Sequence, residues 1–155
     1  MMEEKLPKGW KLLPLKDLNQ RKSKNIDPSK HPETTFELYS VPQFEFSKPE
    51  YLKGREIKST KQKVSAGEVL ISKINPRINR VWKVEGFSDY EKIASSEWII
   101  IKPKSFIDSG YLRYACSAPF FRTLLQSEVS GVGGSLTRAR PKIVENYKLP
   151  IAPLP

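Results

Sequence analysis

Gly67-Glu-Val-Leu-Ile-Ser-Lys-Ile-Asn-Pro-Arg-Ile-Asn-Arg-Val-Trp-Lys-Val84 sets two short apolar runs on either side of a polar connection. Residues 67–74 and 80–84 are rich in β-branched and aromatic side chains, which suit a pleated, half-buried surface. Between them, Asn75-Pro76 favours a turn. The stretch therefore predicts a strand, a tight connection and a second strand.

Working outward, Phe36 to Val41 alternates and predicts another strand, and Glu97 to Lys102 is a continuous apolar run of the kind found in buried strands. Residues 19–34 are polar, contain Pro28 and Pro32, and read as a loop; residues 44–52, with Pro49 inside, read as irregular. Helical signals come late. Asp108 or Ser109 can cap a helix over about 110–116, and Ser117 can cap a second with Pro119 in its first turn. Ser130 to Ser135 is a glycine-rich loop, Pro141 opens a short helical turn, and residues 148–155 finish extended. With strands first, helices second and no βαβ alternation, the expected class is α+β. The expected architecture is one domain over residues 1–155, with a curved, twisted mixed or antiparallel sheet and a C-terminal helical pair.

The 155 residues suit a single core without staples. The longest apolar run, Trp98 to Ile101, is far short of a bilayer span, and the start lacks a secretory pattern. One cysteine, Cys116, permits no internal disulfide. Together these features lead us to expect a soluble, cytoplasmic protein with no membrane contact.

The net charge of +10 is unevenly spread. Residues 53–83 carry nine Lys/Arg against Glu56 and Glu68, and residues 129–148 carry Arg138, Arg140, Lys142 and Lys148 against Glu145. These windows sum to +7 and +3, so 14 basic and 14 acidic residues cancel elsewhere. Clustered Lys/Arg release condensed counterions from a polyanion. A solvated basic surface would look the same by charge alone.

The connection after the first strand carries Lys73, Asn75, Arg77, Asn79 and Arg80. Arginine pairs bidentately with guanine, asparagine with adenine, and lysine with phosphate. An ordinary hairpin would use the asparagines for turn geometry and leave the arginines in water. Downstream, Gly133, Gly134, Ser135, Thr137, Arg138, Arg140 and Lys142 form a second candidate, because glycines let backbone approach phosphate closely. A plain linker is the competing reading, and the spacing is not that of a Walker A loop.

Catalytic constellations are sparse. His31 stands in a proline-flanked loop, Cys116 sits among apolar neighbours, and their number excludes a His/Cys metal site, so no metal or cofactor is expected. Glu50, Glu56 and Lys58 loosely imitate the carboxylate-and-lysine set of Mg-dependent nucleases, with short spacing that chance explains. Trp82, Trp98, Phe120 and Phe121 are expected in the core, whereas Tyr39, Phe44, Phe46 and Tyr51 are expected to be partly buried.

Several stretches in colinear order resemble the type I restriction–modification specificity subunit. They are Leu6-Pro-Lys-Gly-Trp10 with Leu13-Pro-Leu15, Leu38-Tyr-Ser-Val-Pro42, Lys73-Ile-Asn-Pro-Arg77 and Ser96-Glu-Trp98. Further on come Ser130-Gly-Val-Gly-Gly-Ser-Leu-Thr-Arg138, Pro141-Lys142 and Leu149-Pro-Ile-Ala-Pro-Leu-Pro155, the last similar to that family's Ile-Pro-Leu-Pro-Pro ending. The resemblance spans about residues 6–155. It implies a non-catalytic target-recognition domain that reads half of a bipartite double-stranded DNA sequence and ends before the family's spacer helix. The partners it implies are methyltransferase (modification) subunits using S-adenosylmethionine and an ATP-dependent restriction subunit. The rival readings are a stand-alone Mg-dependent nuclease and a basic protein-interaction module.

Overall fold

The computed structural model describes residues 6–127 and 138–153. Ten strands form three sheets. β1 (Lys11–Pro14) pairs antiparallel with β10 (Lys148–Ile151). β6 (Val69–Ser72) lies between β7 (Val81–Lys83) and β9 (Trp98–Ile101), all antiparallel. The third sheet contains β2 (Asn25–Ile26), β3 (Thr35–Tyr39), β4 (Glu50–Lys53), β5 (Lys61–Lys63) and β8 (Glu91–Ala94), in the order β2-β5-β8-β3-β4. It is mixed, because β3 and β8 run parallel. The α+β class stands, with the expected single sheet divided into three.

Among the described residues there are four α-helices: α1 (Leu15–Leu18), α2 (Ser109–Ser117), α3 (Pro119–Ser127) and α4 (Pro141–Val144). The Asp108 carboxylate caps α2 by accepting from Tyr111 N at 2.9 Å. Ser117, expected to cap α3, instead donates back to Arg113 O at 2.9 Å inside α2, and Pro119 opens α3. No helix among the described residues is long and apolar enough to cross a membrane.

The period-2 geometry of β6 organises the core in layers. Val69 and Ile71 point towards the helices and join Leu15, Leu112, Phe121 and Val144. Leu70 points the other way and, with Trp82, Trp98 and Ile100, packs on Tyr39 and Ala94 of the five-stranded sheet. Phe36, Leu38, Ile57 and Ile93 form a smaller cluster. β6 is buried on both faces, which explains its unbroken apolar run.

Several expectations need correction. β4 orders part of the stretch read as irregular, and β2 gives the loop of residues 19–34 a paired strand. Tyr39 is wholly buried rather than partly. Its hydroxyl donates to the buried Glu37 carboxylate at 2.5 Å, and Ser88 Oγ donates to the same group at 2.6 Å. Burial, reinforced by the Glu37 carboxylate, pushes the Tyr39 phenol well above its ordinary range.

Candidate nucleic-acid interface

The connection between β6 and β7 is a compact turn closed by Ile78 N donating to Asn75 O at 2.9 Å. Asn75 adopts a φ of 45°, a left-handed conformation that asparagine tolerates better than most side chains. Pro76 is buried beneath the turn. Arg77 projects outward, with no hydrogen bond or ion pair to any described residue. Beside it Ile78, which residue chemistry alone did not single out, is 49% exposed.

The remaining polar side chains of this segment serve the fold. Asn79 Nδ2 donates to Cys116 O at 3.4 Å, helping to satisfy a carbonyl in the last turn of α2. Arg80 Nη1 donates to Ile74 O at 3.3 Å, and Lys73 Nζ donates to Ser96 O at 2.9 Å. Arg77 is therefore outward and unengaged, whereas Asn75 shapes the backbone and Asn79 braces the turn against α2.

The backbone role of Asn75 can be separated from base reading. Glycine accepts the left-handed region freely, whereas alanine pays about 1–2 kcal/mol there. Asn75→Gly is expected to keep the wild-type urea midpoint and Asn75→Ala to lower it. If the Gly variant were as destabilised as the Ala variant, the side chain rather than the backbone would be what matters.

The C-terminal candidate segment meets the first directly. Ile74 and Arg138 form an antiparallel bridge, and Ala139 N donates to Lys73 O at 2.7 Å. The Arg138 guanidinium pairs with the Glu97 carboxylate, and Lys73 N donates to Glu97 O at 2.9 Å. The turn before β9 thus collects Lys73 and Arg138 from two distant stretches of the sequence. Glu97 was visible at the head of the run to Lys102 and within Ser96-Glu-Trp98, without its role as the partner of Arg138. Arg140 and Lys142 are exposed at the start of α4. Gly133, Gly134, Ser135 and Thr137 lie outside the described residues.

The nuclease-like carboxylates are occupied locally. Glu56 accepts from Lys53 N at 3.0 Å, reaching back across its own helical turn, and Glu50 accepts from Ser40 Oγ at 3.4 Å. No three His, Cys, Asp or Glu side chains among the described residues are grouped to hold a metal ion. Cys116 is fully buried in the helical core, and burial pushes its thiol far above its ordinary value.

No family model matches this sequence, and no curated protein is similar to it in sequence. Solved structures do match in fold, and they are type I restriction–modification specificity (S, or HsdS) subunits. The HsdS subunit from Thermoanaerobacter tengcongensis superposes with a TM-score of 0.81 at 22% identity, over 96% of this chain and 39% of that one. A chain from a structure explaining complex assembly and conformational transition of the type I R-M system gives 0.80 at 21%, with the same coverage. The type I S subunit from M. genitalium gives 0.51 at 10%, over 92% of this chain and 34% of that one. This chain therefore has the fold of one portion of such a subunit, spanning about two fifths of its length.

Proposed function

We propose that residues 1–155 form one target-recognition domain of the type I specificity class, which binds double-stranded DNA sequence-specifically and performs no chemistry itself. The observation that carries this reading is the superposition over 96% of the chain on an HsdS subunit, together with an outward Arg77 on a basic turn. On this reading the base edges are read by Arg77, and phosphates are held by Arg140 and Lys142 together with the donors that Lys73, Arg80 and Arg138 keep free of their contacts within the fold. Gly133, Gly134, Ser135 and Thr137 would add backbone and hydroxyl donors. Asn75 and Asn79 contribute to base reading chiefly by fixing the turn that aims Arg77. Modification and restriction subunits are the partners, in the cytoplasm, where such a complex meets DNA.

The test is selection of duplexes from a random library by the purified chain, followed by titration of the enriched sequence. Arg77→Ala is expected to weaken the enriched duplex by about 1–3 kcal/mol, as loss of one bidentate guanine contact does, and to change binding to random duplex little. Equal losses on both would remove Arg77 from base reading. Failure to enrich any sequence would remove target recognition itself.

A further inference from the structure

Two clefts meet at Arg21, which lines both. The first, about 290 Å³, holds Lys73 with Ser23, Gln62 and Pro141. The second, about 400 Å³, is lined by Lys22, Lys24, Lys63 and Lys102, with Gln20 and Ser65.

Hydrogen bonds donated by backbone N–H groups stitch the second cleft from three separate segments. Gln20 N donates to Lys102 O at 2.9 Å, Lys102 N to Asn19 Oδ1 at 2.9 Å, and Lys63 N to Lys24 O at 2.8 Å. The floor is electrically neutral, because Arg21 Nη1 meets Glu68 Oε1 at 2.6 Å. Lys63 pairs with Glu91 at 3.1 Å. The side chains of Lys22, Lys24 and Lys102, all exposed, make no ion pair or hydrogen bond to any described residue. Three uncompensated ammonium groups on one concave wall raise the local potential and favour a polyanion.

From this geometry we infer a second phosphate-gripping surface: the Lys22–Lys24–Lys102 groove holds the backbone of the DNA duplex. Lys73, which precedes the turn of residues 75–80, lines the first cleft, and Arg21 joins that cleft to the groove. The inference rests on the DNA-binding reading and extends it to residues outside the two basic windows of the sequence. A cluster of lysines suits a phosphate chain because each phosphate gives up its condensed counterion to an ammonium, with no demand on base identity.

The test measures log K against log salt for a short random-sequence duplex. The full chain is compared with the triple variant Lys22→Ala/Lys24→Ala/Lys102→Ala. A control triple replaces Lys30, Lys48 and Lys58, which are exposed and line neither cleft. The groove variant is expected to lower the slope by about 2–3, at about 0.9 per phosphate contact, with the control unchanged and the same duplex still enriched in selection. An equal fall in both triples, or in neither, overturns the groove. If the wild-type chain shows no salt-dependent duplex binding, the DNA-binding reading falls and takes the groove with it. Groove-dependent binding without sequence preference supports the groove and overturns target recognition.

Discussion

Gly54→Ala is expected to cost at least about 3 kcal/mol, at the upper end of what overpacking does, and to lower the melting temperature by roughly 6–12 °C. Gly54 is buried where the chain leaves β4, and its N–H donates to Thr34 O at 2.9 Å. A Cβ built on it would lie 2.1 Å from His31 O and 2.2 Å from Pro28 O. These are backbone atoms of the preceding loop, so no side-chain rotation relieves the clash. That loop is itself fixed, because Asp27 caps its helical turn by accepting from Ser29 N at 3.1 Å. The loop must therefore lift from β4 and give up the Gly54–Thr34 bond, or the sheet edge must move. Urea denaturation of the two proteins measures the difference. A loss below about 1 kcal/mol would show that loop and sheet edge are not packed as described.

Gly54 also illustrates what local sequence conceals. Its requirement comes from chain 23–26 residues upstream, and no turn dipeptide announces it. Where a signal is local, reading works: β6, the Asn75–Ile78 turn and β7 follow from two apolar runs around Asn-Pro. Asp108 announces the start of α2. β5 is Lys-Gln-Lys, with no apolar residue, and is a strand only because β2 and β8 flank it. β8 in turn depends on a parallel partner more than fifty residues earlier. Alternation makes Phe36 and Leu38 legible as one face of β3, but nothing near Glu37 reveals that Ser88 will arrive to help bury its carboxylate.

The candidate interface divides in the same way. Arg77 was legible because its turn is local, whereas the asparagines on either side have the residue types of base readers and conformations that serve the fold. Charge windows along the sequence located Lys73 and Arg138 but passed over Lys22, Lys24 and Lys102, which lie in two separate stretches of nearly balanced charge and meet only in space. Linear charge sums measure neighbours along the chain, and a polyanion meets neighbours in three dimensions.

The pair that floors the second cleft supports the second large prediction. Arg21 and Glu68 have side chains only 7% and 6% exposed, with Nη1 and Oε1 2.6 Å apart. Glu68 also accepts from Ser65 Oγ at 2.7 Å and Ser65 N at 3.2 Å, and Arg21 Nη2 reaches Gln62 Oε1 at 3.5 Å. Both charges are thus desolvated and hydrogen-bonded, so removing either strands the other. Arg21→Met or Glu68→Leu alone is expected to cost about 3–5 kcal/mol. The double variant, which leaves no buried charge, should recover most of that loss, since well-packed apolar replacements of buried pairs are often neutral. Urea midpoints for the four proteins close the cycle and give the coupling directly. Additive single losses would mean that each side chain acts through its own packing. Strong coupling would mean that the pair acts as one unit, joining residues 19–24 to the turn before β6, the arrangement that brings the lysines of the second cleft together.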